Sequence, residues 1–145
     1  MREILFKAKR VDNGEWIEGS LIDLDIDSGY CYIVQPYKKA SILPIIFLIT
    51  DRMKLVDPET LCQFTGLCDK NGNKIWENDI LMAHLDKSYP EDVTYETIEW
   101  GVAGWVTHET NSVDRQPLDE FDLEHYEVVG NIFDNKELLQ EESDE

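Results

Sequence analysis

The sequence predicts an all-β protein, and three observations point to that class. Short segments rich in apolar, aromatic and β-branched residues recur along the chain, whereas the 3.6-residue period of an amphipathic helix is almost absent. Clusters of Gly, Asn, Asp and Pro separate these segments, as turns separate strands. A hydrophobic content of 42% in 145 residues is sufficient for a core. We expect a β-sheet region at 1–56, a second β region at 57–139 and a disordered acidic tail at 140–145.

The amino-terminal region is predicted to open with a β-hairpin. Apolar and polar residues alternate from Ile4 to Lys9, and Asp12-Asn13-Gly14 supplies a tight reversal because Asn and Gly tolerate positive φ. Pro44 cannot donate a hydrogen bond to a sheet, so the strand that contains it must begin at an edge or a bulge. The return strand of the hairpin and the later strands of this region are expected at 16–22, 30–34, 42–49 and 55–56.

The second region carries two turn signals between Gln63 and Ile80. Asp69-Lys70-Asn71-Gly72 predicts one reversal with Gly72 at positive φ, and Glu77-Asn78-Asp79 predicts another. Beyond them the sequence predicts strands at 80–85, 93–100, 102–107 and 126–133, with a bend at Gly101 and Gly104. It also predicts a long acidic loop with a helical turn at 108–124. A short helix is expected at 136–139, capped by Asp134-Asn135.

The charge of the chain is strongly negative and uneven. The formal net charge is -18, and residues 86–145 carry three basic and 18 acidic side chains, whereas residues 1–50 are nearly balanced. Binding to nucleic acid phosphates requires Lys and Arg that displace counterions, so direct nucleic acid binding is not expected. Docking on anionic lipid is disfavoured for the same reason. The charge by itself favours a solvated surface with an acidic tail. The alternative is an acidic face that contacts a basic protein, in one version by imitating DNA.

The start of the chain and its cysteines predict a soluble cytoplasmic protein. Residues 1–7 are interrupted by charge before an apolar run develops, so no signal peptide is expected. The longest apolar run, 42–49, is much shorter than the roughly 20 residues of a membrane span. Cys31, Cys62 and Cys68 show no CxxC spacing, and we expect them to be free thiols.

No catalytic, cofactor or metal motif is evident. Zinc needs about four convergent Cys, His or carboxylate ligands, and the three cysteines are scattered, as are His84, His108 and His125. Asp23, Asp25 and Asp27 alternate like the ligands of a calcium loop, but the Gly and Glu that should follow are missing. Leu24 and Ile26 between these acids indicate a strand with one polar face, so no cofactor and no metal are predicted.

The carboxylates of the two turns allow two interpretations. Asp69, Glu77 and Asp79 lie beside turn residues, where Asp commonly accepts hydrogen bonds from backbone N–H groups. Paired carboxylates can also perform acid–base chemistry when their surroundings separate their pKa values, and His84 follows closely in the sequence. The turn role is favoured, and an enzyme with an unrecognised site around these residues is the alternative.

Two stretches give the chain a family resemblance. The first consists of Asp57-Pro58-Glu59-Thr60, Gln63-Phe64-Thr65-Gly66-Leu67, Asp69-Lys70-Asn71-Gly72, Ile75, Glu77, Asp79 and Ile80; the second is Glu127-Val128-Val129-Gly130-Asn131-Ile132-Phe133 with Asn135, Glu137, Leu138 and Leu139. Together with Arg2-Glu3-Ile4, Phe6 and Ala8 they resemble the YopX family, small proteins of phages and prophages of Gram-positive bacteria. Asn78 replaces a usual Gly and Lys136 a frequent Pro, and Asn tolerates the left-handed conformation that the turn needs.

The resemblance implies a fold and an origin but no mechanism. It implies a carboxyl-terminal part similar to an SH3-type small barrel, a phage or prophage origin, a bacterial host cytoplasm as the location, and no assigned enzymatic activity. The signature residues, interpreted as structural, are Thr65, Gly66, Asp69, Asn71, Gly72, Glu77, Asp79, Gly130 and Asn131.

The function expected from the sequence is that of a protein-binding or regulatory module that uses an acidic surface. Its partner is unknown and expected to be basic, and self-association is possible. The alternatives are an enzyme, a structural phage component, a DNA mimic and a nucleic-acid-binding barrel, the last of which the charge opposes.

Overall fold

The computed structural model describes residues 3–25, 29–35, 52–84 and 91–140. These residues form eleven β-strands, which pair antiparallel in two sheets, and three short 3-10 turns. The predicted all-β class is therefore confirmed. The chain divides into two compact units, Met1–Phe64 and Thr65–Glu145. The strand predicted at 42–49 and the acidic tail predicted at the carboxyl terminus (from 141 onward) lie outside the described residues.

The first unit contains an antiparallel sheet in the order β4-β3-β2-β1-β5. The predicted hairpin is confirmed, since β1 and β2 pair antiparallel and Gly14 has a φ of +71° in the turn between them. Gly19 in β2 has no room for a side chain, because a Cβ there would overlap the carbonyl oxygen of Val34. The strands are β1 (Phe6–Lys9), β2 (Trp16–Asp25), β3 (Tyr30–Val34), β4 (Met53–Val56) and the beginning of β5 (Cys62–Cys68).

The core of the first unit comes from alternate positions of these strands. Period-two alternation directs one set of side chains to the same face of the sheet. A 3-10 turn at Pro58–Thr60 connects β4 to β5, and the Asp57 carboxylate caps it by accepting a hydrogen bond from the Glu59 N–H. The buried residues of this core are Ala8, Ile17, Cys31, Ile33 and Val56.

The second unit contains a five-stranded antiparallel sheet in the order β10-β9-β8-β7-β11, and β5 also pairs with β6. The small barrel that the resemblance implies stays a prediction. The strands are β6 (Lys74–Trp76), β7 (Asp79–His84), β8 (Val93–Trp100), β9 (Trp105–Glu109), β10 (Arg115–Pro117) and β11 (Tyr126–Asn131).

Two expectations for the acidic segment need correction. Val102 was predicted in a strand but lies in the turn between β8 and β9, which the hydrogen bond from Gly101 N–H to Gly104 O closes at 2.7 Å. The predicted loop at 108–124 instead contains the end of β9 and the strand β10, whereas the helical turn predicted within it is confirmed as a 3-10 turn at Glu120–His125. Strand β10 shows no apolar alternation because its residues are exposed, so only its pairing with β9 defines it.

One face of the five-stranded sheet supplies most of the core of the second unit. Leu81 and Ile98 of this sheet are buried in one cluster with Ile75 of β6, and Trp105 and Val128 pack against them. The strand register continues this face to Glu96, which lies opposite Leu81 on β7 and opposite Glu109 on β9. The apolar core thus passes directly into a polar region on the same face of the sheet.

The carboxyl-terminal helical turn is confirmed as a 3-10 turn at Lys136–Leu139. Asn135 precedes it but makes no side-chain capping bond, and its amide oxygen instead accepts a hydrogen bond from the Asn131 N–H at 3.1 Å. Across the part of the chain that the structure describes, no helix has the length and apolar character needed to cross a bilayer.

Candidate functional site

The first signature turn is organised by the buried carboxylate of Asp69. Its Oδ1 accepts hydrogen bonds from the N–H groups of Asn71 and Asn73, each at 2.9 Å. Its Oδ2 accepts the Val128 N–H of β11, also at 2.9 Å, from a residue 59 positions away in sequence. Asp69 therefore joins the turn to the edge strand of the five-stranded sheet.

These contacts set the ionisation of Asp69. Burial alone would raise the pKa of this carboxyl, but the N–H groups of Val128, Asn73 and Asn71 outweigh burial and hold the pKa below its ordinary value. A carboxylate that accepts backbone hydrogen bonds and keeps its charge is typical of a structural role. Its lone pairs are largely occupied, which leaves little capacity for acid–base chemistry.

Other signature residues complete this turn. Gly72 has a φ of +82°, so the left-handed conformation predicted for it is confirmed, and its N–H donates to Asp69 O. Gly66 has a φ of +90° within β5. The buried Thr65 hydroxyl donates to Ile75 O at 2.7 Å and accepts the Leu67 N–H. Asn71 contributes its N–H to Asp69.

The second turn is built around Asp79 and Asn78. Asp79 is 2% exposed, and its carboxylate accepts the Trp76 N–H at 2.8 Å. Asn78 adopts a φ of +68°, so Asn does supply the left-handed residue that the turn needs. Glu77 is half-buried beside it. The carboxylates of both turns thus contact backbone N–H groups.

The carboxyl-terminal signature residues shape the end of β11. A β-bulge between Val128 and Gly130 shifts the register with β7, and a Cβ on Gly130 would overlap the Asn135 side chain. The Asn131 amide oxygen accepts the N–H groups of Phe133 and Asp134, each at 2.9 Å. Gly130 and Asn131 therefore fix the reversal that follows the final strand.

The titratable residues that do converge lie elsewhere, in a cavity at the polar end of the second sheet. We call this space of about 310 Å³ the Glu96 cavity. It is open on one side, and the 3-10 turn at Glu120–His125 contributes to its wall. Its lining residues are Ala83, His84, Thr94, Glu96, Glu109, Asp122, His125 and Tyr126.

Glu96 is the most buried charged residue of this cavity, with 8% of its surface exposed. Burial raises the pKa of its carboxyl, and the negative charges of Glu109 and Asp122 raise it further. The hydroxyls of Thr107 and Tyr126 favour the charged form but offset only part of the shift. The pKa of Glu96 is thus raised, whereas that of Asp69 is lowered.

Two hydroxyls lie beside the Glu96 carboxyl. Burial and the negative charge of Glu96 raise the pKa of Tyr126 to about 12, so Tyr126 is a neutral donor at physiological pH. Thr107 is 1% exposed, and its hydroxyl lies close enough to the side chains of Glu96 and Tyr126 to lower the pKa of each, although its Oγ1 makes no hydrogen bond of good geometry within the described residues.

The remaining candidate ligands are dispersed. His108 contacts Glu99 at 3.2 Å and the Ser112 carbonyl at 2.6 Å, and Arg115 binds the same Glu99 at 3.0 Å. Asp23 lies exposed in β2, whereas Asp27 falls outside the described residues. Within 3–25, 29–35, 52–84 and 91–140, no three His, Cys, Asp or Glu side chains are placed to hold a metal ion.

A groove in the first unit and a hairpin tip in the second unit are two further surface features. A groove of about 420 Å³ in the first unit is lined by Lys9, Arg10, Tyr30 and loop residues, and the Arg10 guanidinium is held by Asp12 at 2.6 Å. In the second unit, the tip of the β8–β9 hairpin exposes Trp100 to 62% and Val102 completely. Trp100 contacts Trp105 edge-on, with ring centroids 4.8 Å apart.

All three cysteines are free, as the sequence predicts. Cys31 and Cys62 are buried in the first unit, whereas Cys68 is exposed. Burial and the nearby carboxylates of Asp23 and Asp57 raise the pKa of the Cys31 thiol. A buried thiol of raised pKa packs as a small apolar residue and is a poor nucleophile.

Comparisons with known proteins agree with this architecture. The model of the YopX protein family matches residues 5–140, so the chain belongs to the YopX family. The crystal structure of protein EF1440 from Enterococcus faecalis is similar, with a TM-score of 0.58 and 25% identity over 97% of this chain and 100% of that one. None of the curated proteins matches.

The turns are evident from the sequence, but most of the cavity is not. His84 and His125, both named from the sequence, do line the cavity, but the sequence places His84 near Asp69 and Asp79 instead. Glu96, Glu109, Asp122 and Tyr126 come from four separate elements, so no local motif unites them. The available signal was Glu96 itself, an acid at an inward position of the apolar alternation in β8.

Proposed function

We propose that this YopX-family protein is a protein-binding module of phage or prophage origin that acts in the cytoplasm of a bacterial host. The observation that carries the proposal is the apolar tip of the β8–β9 hairpin, where Trp100 and Val102 are exposed. Large exposed aromatic side chains are typical anchors of protein interfaces. A tryptophan at a hairpin tip can bury much of its surface in a partner without any rearrangement of the sheet.

The charge around this tip favours a basic partner. Residues 91–140, all of which the structure describes, include 13 acidic and two basic side chains. Arg115, one of the two basic residues, already contacts Glu99. Complementary charge accelerates association and excludes wrong partners, while the apolar anchor supplies affinity. The same charge is the reason to propose that the protein does not bind nucleic acid directly.

A catalytic role for the two signature turns has less support. Both Asp69 and Asp79 accept backbone hydrogen bonds that define their turns. A general acid or base has to exchange a proton with substrate, and these carboxylates would break a turn contact to do so. We therefore propose a non-enzymatic protein, and we treat a structural phage component or a DNA mimic as outcomes that partner identification would reveal.

Affinity purification with matched variants tests the proposal. The purified protein is compared with the double variant W100S/V102S and with V11S, which alters an exposed valine of the first unit. We expect a basic partner that the wild type and V11S retain and that W100S/V102S loses. The purified pair should then bind more weakly as salt rises, because exposed charges are screened over about 8 Å at physiological ionic strength.

Three results would each contradict a part of the proposal. Equal recovery of every partner by the wild type and W100S/V102S would remove the hairpin tip as an anchor. Partners that are neutral or acidic and bind independently of salt would remove the argument from charge. Tight binding of labelled DNA at about 0.15 M salt would overturn the exclusion of nucleic acid.

A further inference from the structure

We propose that the outer edge of strand β10 binds an extended, basic segment of the partner as an additional strand of the five-stranded sheet. The proposal rests on the proposed function for the existence of a partner, and it deepens that function by naming the segment that binds. Three properties of the described residues support it: the two edges of the sheet differ, exposed apolar side chains lie at both ends of β10, and the charge beside β10 is acidic. Addition of a strand to an open sheet edge is a recurrent mode of peptide recognition.

The two edges of the five-stranded sheet differ in their hydrogen bonds. The outer edge of β11 contacts the first signature turn, because the Val128 N–H donates to Asp69 Oδ2 at 2.9 Å. The Lys70 N–H also donates to Tyr126 O at 3.2 Å. At the opposite edge, β10 pairs with β9 and with no other strand of the described residues. The sheet is thus covered at one edge and open at the other.

The backbone of β10 directs hydrogen-bonding groups away from the sheet. The Leu118 N–H donates to Trp105 O at 2.9 Å, so the backbone of Leu118 faces β9. Alternation along an antiparallel ladder then turns Gln116 toward β9 and directs the N–H and C=O groups of Arg115 outward. Pro117 also faces outward, where its missing N–H removes no hydrogen bond from the ladder. An added strand can therefore pair with Arg115 without breaking a bond of the sheet.

Exposed apolar side chains lie at both ends of β10. Val113 is 88% exposed and lies two residues before the strand. At the other end, Leu118 contacts Trp105, whose ring meets the exposed Trp100 of the hairpin tip. An extended segment of about six residues, roughly 20 Å long, reaches from one end to the other. A helix along the same edge would leave the outward groups of Arg115 unpaired, because the backbone groups of a helix bond to one another.

The charge beside β10 decides between the possible occupants of the edge. Four exposed acids lie shortly before and after the strand or at its start: Glu109, Asp114, Asp119 and Glu120. The single base of the strand, Arg115, contacts Glu99 at 3.0 Å. This surplus of acids attracts a segment that carries Lys or Arg. A second copy of the chain would bring the same acids together, and like charges on paired strands are destabilising. The charge therefore favours a basic segment over self-association.

An NMR titration with a synthetic peptide tests the pairing. The capped heptapeptide Lys-Val-Lys-Val-Lys-Val-Lys is added to the ¹⁵N-labelled whole chain at fixed pH and ionic strength. The same peptide with glutamate in place of lysine is the control of opposite charge. We expect saturable shifts for the amides of β9 and β10 with the lysine peptide and none with the glutamate peptide. No response of β10, or equal responses to both peptides, would overturn the proposal.

A matched pair of variants assigns the binding to the backbone of the edge. R115A and R115P both remove the Arg115 side chain, but only R115P also removes the outward N–H. We expect R115P to bind the lysine peptide about tenfold more weakly than R115A, because it loses a backbone hydrogen bond and leaves a peptide carbonyl unpaired. Equal affinities would refute pairing at this edge. If R115P impairs folding, P117A keeps the test decisive: it adds an outward N–H and should tighten binding, and an unchanged affinity would overturn the proposal.

Purification of the partner with the same variants separates this proposal from the proposed function. R115P should lose the partner that the wild type and R115A retain. Loss of the partner with W100S/V102S but equal recovery by R115A and R115P would leave the function standing and remove the edge. Peptide pairing with β10 when no basic partner is recovered would leave the edge standing and remove the function. Shifts of β10 amides that depend on protein concentration without peptide would show a second copy at the edge and overturn the choice of occupant.

Discussion

Asp69 and Glu96 are buried carboxylates of the same unit, yet their surroundings are opposite. Asp69 accepts hydrogen bonds from three backbone N–H groups, and these lower its pKa in spite of burial. Glu96 has two hydroxyls and two further acids nearby, and burial raises its pKa. The comparison teaches that burial alone does not assign a role to an acid. Backbone N–H donors hold the Asp69 carboxyl in its charged form, whereas burial and the neighbouring acids favour the neutral form of Glu96.

The largest expected effect is the loss of the Asp69 carboxylate. D69A leaves three N–H groups without their acceptor and separates the turn from β11, so we expect a loss of about 3 kcal/mol in the free energy of unfolding. Urea denaturation at neutral pH measures this loss, and D114A, an exposed acid of the same unit, is the control. A loss no larger than that of D114A would contradict the structural role.

The next effect tests the backbone of the same turn. Gly72 has a positive φ and open space around its Cα, so G72V costs only backbone strain, which we expect to be about 1–3 kcal/mol. G72N should cost less because Asn tolerates this conformation. Thermal unfolding compares the two variants. Identical melting temperatures for the wild type and G72V would show that the strain is absent.

A smaller effect of opposite sign is expected at Glu96. Burial raises the pKa of Glu96 in the folded state, so the folded protein favours the protonated carboxyl. The free energy of unfolding is therefore highest below the unfolded-state pKa of Glu96, and it falls as pH rises through the folded-state pKa. E96Q should therefore be more stable than the wild type at pH 7, by on the order of 1 kcal/mol. The titratable side chains that line the same cavity as Glu96 are those of His84, Glu109, Asp122, His125 and Tyr126.

The pH dependence of the two carboxylate variants sharpens the comparison. The lowered pKa of Asp69 means that its stabilisation is present above the unfolded pKa and is lost as pH falls through the folded pKa. The deficit of D69A and the gain of E96Q should both shrink as the solution is acidified below the ordinary carboxyl range. If the gain in the free energy of unfolding of E96Q increased on acidification, it would contradict the raised pKa of Glu96.

The smallest expected effect on stability is at the hairpin tip. Trp100 and Val102 are largely exposed, so W100S/V102S should change the free energy of unfolding by no more than about 0.5 kcal/mol. Urea denaturation checks this value before any binding experiment is interpreted. A large loss would mean that the contact between Trp100 and Trp105 supports the core, and binding defects of the variant would then not identify an interface.

Local chemistry made much of the fold predictable. The turns at Gly14, Gly72 and Asn78 follow from residues that tolerate positive φ, and the structure gives each of them that conformation. Strand β3 matches its prediction because aromatic and β-branched residues fill it. Strand β10 was missed, since exposed residues define it only through pairing with β9. Sequence patterns show which residues can turn or alternate, but they do not show which strands become neighbours.

The Glu96 cavity could not be predicted for the same reason. Its acids lie on separate elements and meet only because β7, β8, β9 and β11 adopt one register. The sequence instead drew attention to Asp69 and Asp79, which are close in sequence and serve their own turns. Residues that are close in sequence, such as Asp69 and Asp79, are easy to group from the sequence. The acids of the Glu96 cavity come together only through the pairing of strands that are distant in sequence.

Measurement of both carboxyl pKa values in one NMR titration tests the central claim most directly. With ¹³C-labelled side chains, the Asp69 and Glu96 carboxyl signals are followed across the acid range. We predict that the Asp69 pKa lies below its ordinary value and that the Glu96 pKa is raised. A Glu96 pKa that is ordinary or lowered, or an Asp69 pKa that is not lowered, would contradict the account.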